Sequence, residues 1–206
     1  MSEGLNFFVN LVVNGLVAGS IYSLISLPIV LIFKSSKVFN LAQGELVMMG
    51  GYLCLFMMLS AHLSIFLALF VTLILMFLLG FAIERVILRP MIGESFISVI
   101  MITLGLASIL RGLVSLLWGT DTYVYPTFLQ EVEVSIVGYH LSGTYLVSLG
   151  LCIILLILFF FFFKYSIFGI AIRATASDQI ASMSMGISVK KVFGFTWAIS
   201  AMLASP

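Results

Sequence analysis

The chain has 206 residues, 63% of them hydrophobic and only 8% charged, with a formal net charge of +1. A soluble domain runs nearer half apolar and a quarter charged, so these residues cannot be hidden in one water-facing globule, and the solvent they imply is lipid. A near-zero net charge gives a polyanion nothing to grip and excludes a nucleic-acid reading.

An apolar helix needs ~20 residues to cross ~30 Å of hydrocarbon. The first run, about 7–33, has only Glu3 before it, lacks a basic n-region and outruns the apolar core of a signal peptide. It reads as a retained membrane helix. Further segments of spanning length follow at about 38–60, 64–83, 95–118 and 144–163, the last containing Phe159 to Phe163 in unbroken series. A sixth begins near Val192 and reaches Pro206 before it can cross. The expected fold is therefore an all-α polytopic transmembrane bundle. It forms one domain over 1–206, with five full spans and an incomplete sixth.

Basic residues set the orientation. With the 34–37 turn in the cytoplasm, Lys34, Lys37, Arg85, Arg89, Lys164, Arg173, Lys190 and Lys191 all fall inside. The outer loops, 61–63 and 119–143, then carry no Lys or Arg but hold Asp121, Glu131 and Glu133. The N-terminus is expected outside. The 119–143 loop contains Tyr123, Tyr125, Pro126 and an alternating run from Glu131 to Tyr139, which predicts a short extracytoplasmic strand or hairpin. It reads either as a cap over helix ends or as part of a docking surface.

The second span is the unusual one. Residues 38–52, VFNLAQGELVMMGGY, place Asn40, Gln43 and Glu45 inside an apolar run, beside Gly44, Gly50 and Gly51. Counted as helix from Val38, Glu45 lies ~10 Å inside the cytoplasmic edge. An ionised carboxylate facing lipid there costs ~2.5 kcal/mol or more, so it should face protein, water or a pathway. The glycines allow close packing or a break in the helix, and irregular backbone at membrane depth is tolerated only inside protein or beside a water-filled cavity. Asn40, Gln43, Gly44, Glu45, Gly50 and Gly51 are the candidate pathway or gate residues, with pure packing as the alternative. Arg111 is the one cation within a predicted span. Counted from Ser95 it lies ~24 Å in, so the depths differ by roughly 12–14 Å on the helix rise, and direct pairing with Glu45 is not expected. Arg111 is expected to snorkel outward or meet backbone carbonyls.

Residues 164–191 are too long for a tight turn. Within them Ser177 can cap a short helix, Asp178 suits its positive end, and Gly186 can close it in the left-handed conformation. Ile180 and Met183 share a face, with Ala181 and Met185 beside it. Two turns are not stable alone, so this helix needs a surface: the protein's own helix ends or another subunit. Elsewhere, Cys54 and Cys152 sit in apolar runs as small core residues, and His62 and His140 are far apart. There is no metal-ligand spacing, no Walker lysine loop and no nucleophile elbow. No cofactor, metal or catalytic residue is assigned, and the chain is not read as an enzyme.

Two stretches carry a resemblance. The motif N-x-A-x-G-E, here Asn40, Ala42, Gly44 and Glu45, resembles the second helix of the branched-chain amino-acid ABC transporter permeases. GIAIRATASDQIASMSMGI resembles the cytoplasmic loop of the same family through Gly169, Arg173, Ala174, Ala181, Gly186 and Ile187. The first helix, GLVAGSIYSLISL, looks like that family's opening, and the three match in order and spacing over most of the chain. The resemblance implies a permease subunit of a bacterial inner-membrane importer for branched-chain or other amino acids. It implies a second permease subunit, an extracytoplasmic substrate-binding protein and two ABC ATPase subunits that hydrolyse the ATP. Gly169, Arg173, Ala174, Asp178, Ala181, Gly186 and Ile187 would then belong to the ATPase-coupling segment.

The sequence departs from the family at Pro28, where members usually have a small residue; a proline there should kink the first helix. Members also continue through further spans, so the chain reads as C-terminally truncated. Two other readings stand beside the permease. One is an ion-coupled secondary transporter or channel gated by Glu45, which predicts pH dependence lost in Glu45→Gln. The other is a non-transporting truncated remnant, which predicts no stable complex.

Overall fold

The structure is a computed structural model that describes residues 2–119, 121, 123, 133–136 and 139–204. Its elements are α1 (Ser2–Ser36), α2 (Gln43–Leu59), α3 (Ile65–Ile83), α4 (Phe96–Trp118), β1 (Glu133–Ile136), β2 (Tyr139–Ser142), α5 (Gly143–Tyr165), α6 (Ile167–Ser177), α7 (Gln179–Ser184) and α8 (Val189–Leu203). The expected all-helical architecture is present, with one small hairpin added. Three helical stretches are long and apolar enough to cross a membrane: Asn14–Ser36, Ile65–Met91 and Phe96–Trp118. The pair Leu149–Tyr165 and Ile167–Ser177, bent by 72°, makes a fourth if taken as one span.

The hairpin lies in the 119–143 segment where alternation predicts it, with Glu133 opposite Ser142 and Ile136 opposite Tyr139. Tyr125, Pro126 and Glu131 of that segment, and Ser205 and Pro206, lie outside the described residues. The chain forms two compact units, Met1–Ser26 with Tyr123–Phe161, and Leu27–Thr122 with Phe162–Pro206. In the first, α1 turns Gly15, Gly19, Ser20 and Ser23 toward Leu149, Cys152 and Ile153 of α5 around a cavity of about 620 Å³. The α1 hydroxyls need no outside partner, since Ser20 and Ser23 donate to the carbonyls of Val17 and Gly19 at 2.7 and 2.8 Å.

The second unit holds the packed core. Buried positions recur every three to four residues, as Ala68, Thr72, Met76, Gly80 and Ile83 on α3 and as Val99, Thr103, Leu106, Leu110 and Val114 on α4. Lipid tails are as apolar as leucine, so close contact rather than transfer from water holds such helices together. The tightest contact is α3 on α8. A Cβ on Gly80 would stand 2.5 Å from Ala201 Cβ and 2.6 Å from the Trp197 carbonyl oxygen, so only glycine fits. α8, expected as the first part of a sixth span from Val192, begins three residues earlier at Val189 and is the most enclosed helix of this unit, with Trp197, Ala198, Ser200 and Ala201 all buried. Lys190 and Lys191, expected in the preceding loop, therefore belong to its first turn. Cys54 and Cys152 are buried free thiols, as core residues should be.

Pro28 does not end α1, which runs through it as one helix to Ser36. The end of α3 is less regular. Glu84–Leu88 form a π turn and Arg89–Met91 a 3-10 turn. Pro90 lacks an N–H and crowds the preceding turn, which opposes a regular helix. The ladder widens to i→i+5 and brings the Arg89 guanidinium onto Glu84, Nε to Oε1 at 3.4 Å and Nη2 to Oε2 at 3.0 Å. Glu84 is 1% exposed, so this is a buried carboxylate with its counterion supplied by the irregular turn.

Candidate functional site

α1 stops at Ser36, where the Ser35 and Ser36 hydroxyls both donate to the Ile32 carbonyl and Lys37 adopts a left-handed φ of 58°. The chain stays non-helical to Ala42, and α2 starts only at Gln43. The expected span from residue 38 is thus interrupted where its polar residues lie. Asn40 organises the break. Its Oδ1 accepts the Ala42 N–H at 3.0 Å, the local turn that asparagine favours, and its Nδ2 donates to Gln43 Oε1 at 3.0 Å. The Ser200 hydroxyl of α8 stands 3.1 Å from the Pro28 carbonyl oxygen and 3.4 Å from Gln43 Oε1. Its one proton serves the nearer oxygen. Asn40, Gln43 and Ser200 are at most 2% exposed, and together they join α1, the start of α2 and α8 through polar groups. Among the described residues, Gln43 Nε2 is the buried side-chain polar atom left without a partner.

Glu45 and Arg111 meet, against expectation. Arg111 Nε donates to Glu45 Oε1 at 3.2 Å, and Arg111 Nη2 donates to the same oxygen. The depth argument fails because it counted residues 38–42 as helix. Taken as extended chain at ~3.3 Å per residue to Leu41 and as turn and helix at ~1.5 Å beyond, Glu45 lies ~16 Å in, about 8 Å from the level reckoned for Arg111, a gap that the two long side chains bridge. The helices α2 and α4 run parallel here. Two turns further along, Tyr52 packs on Trp118 with ring centroids 5.8 Å apart, and the Tyr52 hydroxyl donates to the Asp121 carbonyl at 3.3 Å. Phe56 meets the same indole edge-on at 6.1 Å. The Glu45 side chain is 12% exposed and that of Arg111 72%.

Of the six candidate pathway residues, Asn40, Gln43 and Glu45 make the polar contacts given above. Gly50 is buried and Gly51 half-buried on α2. Gly44 serves no close approach, since a Cβ there would meet nothing within 4 Å. Sequence reasoning missed Ser200 and the Glu84–Arg89 pair. The acid and base five residues apart, just before Pro90, were the available signal for the pair; nothing singles out Ser200.

The second group of candidates lies on the bent end of α5, on α6 and on α7. At the bend, Ser166 caps α6 by accepting the N–H groups of Phe168 and Gly169 at 3.1 and 3.3 Å. A Cβ on Gly169 would fall 2.6 Å from the Phe162 carbonyl oxygen, which explains a glycine at this corner. The cap of α7 is Asp178, not the expected Ser177, which instead ends α6. Asp178 Oδ1 accepts the N–H groups of Ile180 and Ala181 at 2.8 and 2.9 Å; it has the extended backbone a cap needs. Gly186, with φ of 84°, closes the helix as expected. Its N–H reaches the Met183 carbonyl and that of Ile187 reaches Ser182, both at 3.0 Å, which is the Schellman pattern. Arg173 and Ala181 are exposed and Ala174 half-buried. Ile180, Met183 and Met185 are 74%, 54% and 83% exposed, so α7 turns its apolar side chains outward.

Residues 11–205 match the family model described as the branched-chain amino acid transport system permease component. The chain is 26% identical over 226 residues to the high-affinity branched-chain amino acid transport system permease protein LivH of Salmonella typhimurium, covering 100% of this chain and 70% of the relative. The corresponding Escherichia coli protein is 27% identical over the same coverage. The permease protein BraD of Pseudomonas aeruginosa is 28% identical over 205 residues, covering 94% of this chain and 67% of its own length. No solved structure matches the chain.

Proposed function

The chain belongs to the permease-component family of branched-chain amino acid transport systems, and on that premise we propose that it is a transmembrane subunit of an ATP-driven importer in the bacterial inner membrane. The observation that carries the reading is the family match over nearly the whole chain, on a helical molecule whose second apolar segment opens with buried polar residues. In this reading the membrane is crossed five times, with α8 as the start of a further span and the N-terminus outside. Lys34, Lys37, Arg85, Arg89, Lys164, Arg173, Lys190 and Lys191 then face the cytoplasm, as positive-inside charge requires.

The break before α2 is the pathway or gate element. Asn40, Gln43, Gly44, Glu45, Gly50 and Gly51 line or shape it, because unwound backbone and polar side chains at membrane depth are tolerated where they border a water-filled route. Transport is coupled through α7. Its outward-facing Ile180, Met183 and Met185 suit a groove on a soluble subunit, since flexible apolar side chains adapt to such surfaces. Gly169 and Ser166 set the corner that leads to it; Arg173 and Ala174 on α6, and Asp178, Ala181, Gly186 and Ile187 around α7, hold and present it. Two ATPase subunits sit against this face, a second permease subunit completes the pathway, and an extracytoplasmic binding protein delivers the amino acid. The chain itself catalyses nothing.

The test is purification of the tagged chain from membranes under mild detergent. ATPase subunits and a second permease should co-purify, and an Ala181→Pro variant should insert normally but lose the ATPases. Recovery of the intact chain without any ATPase would contradict the proposal.

A further inference from the structure

We propose that the Glu45–Arg111 pair is a recognition site for the charged head of a zwitterionic α-amino acid, with Arg111 taking the α-carboxylate and Glu45 the α-ammonium. This rests on the transport reading and adds to it the site at which the permease meets its substrate.

The pair is half-used. Both donating nitrogens of Arg111 converge on one oxygen, Glu45 Oε1. A structural arginine–carboxylate pair gains most from two parallel bonds to two oxygens; Glu84 and Arg89 in the same unit approach that, with separate oxygens for Nε and Nη2. Between Glu45 and Arg111 the second fork is open. Among the described residues neither Oε2 of the carboxylate nor Nη1 of the guanidinium makes a hydrogen bond, and the two are complementary to an ammonium and a carboxylate.

Space is left beside each partner. Gly44 adjoins Glu45 and Gly112 adjoins Arg111, and a Cβ on either would meet nothing within 4 Å. These glycines do not tighten a helix contact; they leave room. On α4, Ser108 and Ser115 stand exposed one turn to either side of Arg111, among exposed apolar residues that include Leu104, Ile109, Leu113 and Leu116. A guanidinium facing hydrocarbon at a helix centre costs ~2.5–3.5 kcal/mol, which argues that this exposed side faces water or ligand. About 10 Å further along the same pair of helices Tyr52 packs on Trp118, with Phe56 a turn beyond.

On binding, the ligand carboxylate occupies Nη1 and competes with Glu45 for Nη2, while the ammonium takes Oε2. No covalent bond is made or broken, and the charges stay balanced. Each charge of the ligand therefore depends on a different residue.

The experiment is equilibrium binding to the purified, assembled transporter without its binding protein. The probes are leucine, leucinamide (which keeps only the cation) and 4-methylpentanoate (which keeps only the anion). Leucine should bind about tenfold or more tightly than either analogue, the scale of a charge-assisted hydrogen bond. Glu45→Gln should weaken leucinamide and leucine but, by freeing Arg111 Nη2, should hold 4-methylpentanoate as tightly or more tightly. Arg111→Gln should weaken leucine and 4-methylpentanoate but leave leucinamide unchanged. Equal weakening of all three ligands by both variants would mean a purely structural pair and would overturn the proposal, as would no effect in either. If a variant does not assemble, the unmodified complex still decides: equal affinity for leucine and 4-methylpentanoate sinks the assignment. A complex that imports leucine yet gives a flat ligand series removes this inference alone, whereas one that imports no amino acid removes the transport reading as well.

Discussion

Glu45 makes three demands on its surroundings: depth, a counterion and room. Replacing it with leucine removes the counterion and leaves Arg111 at the same level with no carboxylate. The expected outcome is uptake reduced at least tenfold with membrane abundance unchanged within about twofold, because insertion follows the summed hydrophobicity of the segment whereas transport needs the pair. Quantitative immunoblotting of membranes beside labelled-leucine uptake checks this, and normal uptake would refute it. The other acid–base pair behaves differently. Glu84 is enclosed, so Arg89→Gln leaves a buried carboxylate without its partner, a change that typically costs about 3–5 kcal/mol. Adding Glu84→Gln should recover most of the lost thermal stability in detergent; a double variant no more stable than the single would contradict the pairing. Gly80→Val should also destabilise, by roughly 1–3 kcal/mol, since α3 and α8 cannot move apart without loss elsewhere. Gly44→Ala, with open space beside it, should not disturb packing.

At the scale of the element, α7 is six residues held by its ends. Asp178→Ala removes the acceptor for two N–H groups and should cost about 1 kcal/mol of helix stability. The expected readout is weaker stimulation of ATPase activity by substrate, with Asp178→Asn largely restoring it because asparagine caps as well. Unchanged coupling in Asp178→Ala would separate α7 from the ATPases. The composition of 177–187 made this helix and its glycine stop readable in the sequence. It could not decide between Ser177 and Asp178, since both are good caps and the choice depends on where α6 ends. The break before α2 was readable only as a possibility. The residues of 38–42 do not announce extended chain and a turn, and treating them as helix placed Glu45 about 6 Å too shallow. The Glu45–Arg111 contact is set by that non-helical stretch and by the parallel packing of α2 and α4, which join residues 66 positions apart. Such long-range register has no local signature. The π turn at Glu84 was hidden for the same reason: Pro90 signals an end, not the manner of ending.

On the scale of the whole molecule, hydrophobicity was enough to give the helical class, since lipid forces backbone groups to pair internally, and the alternation within 119–143 was enough to give the hairpin. Hydrophobicity could not show how deeply α8 is enclosed in the second unit. That follows from Gly80, Ala198 and Ala201 meeting at one crossing, a fit visible only in three dimensions. The proposed function turns on the source of energy: in that reading ATPase subunits, and not an ion gradient, drive the amino acid across. The direct measurement is labelled-leucine uptake into proteoliposomes holding the assembled complex and its binding protein, with ATP present and the ion gradients collapsed by ionophores. Sustained accumulation that disappears when the ATPase subunits are inactivated is the predicted result. Uptake that persists with inactive ATPases and stops when the gradients collapse would contradict it.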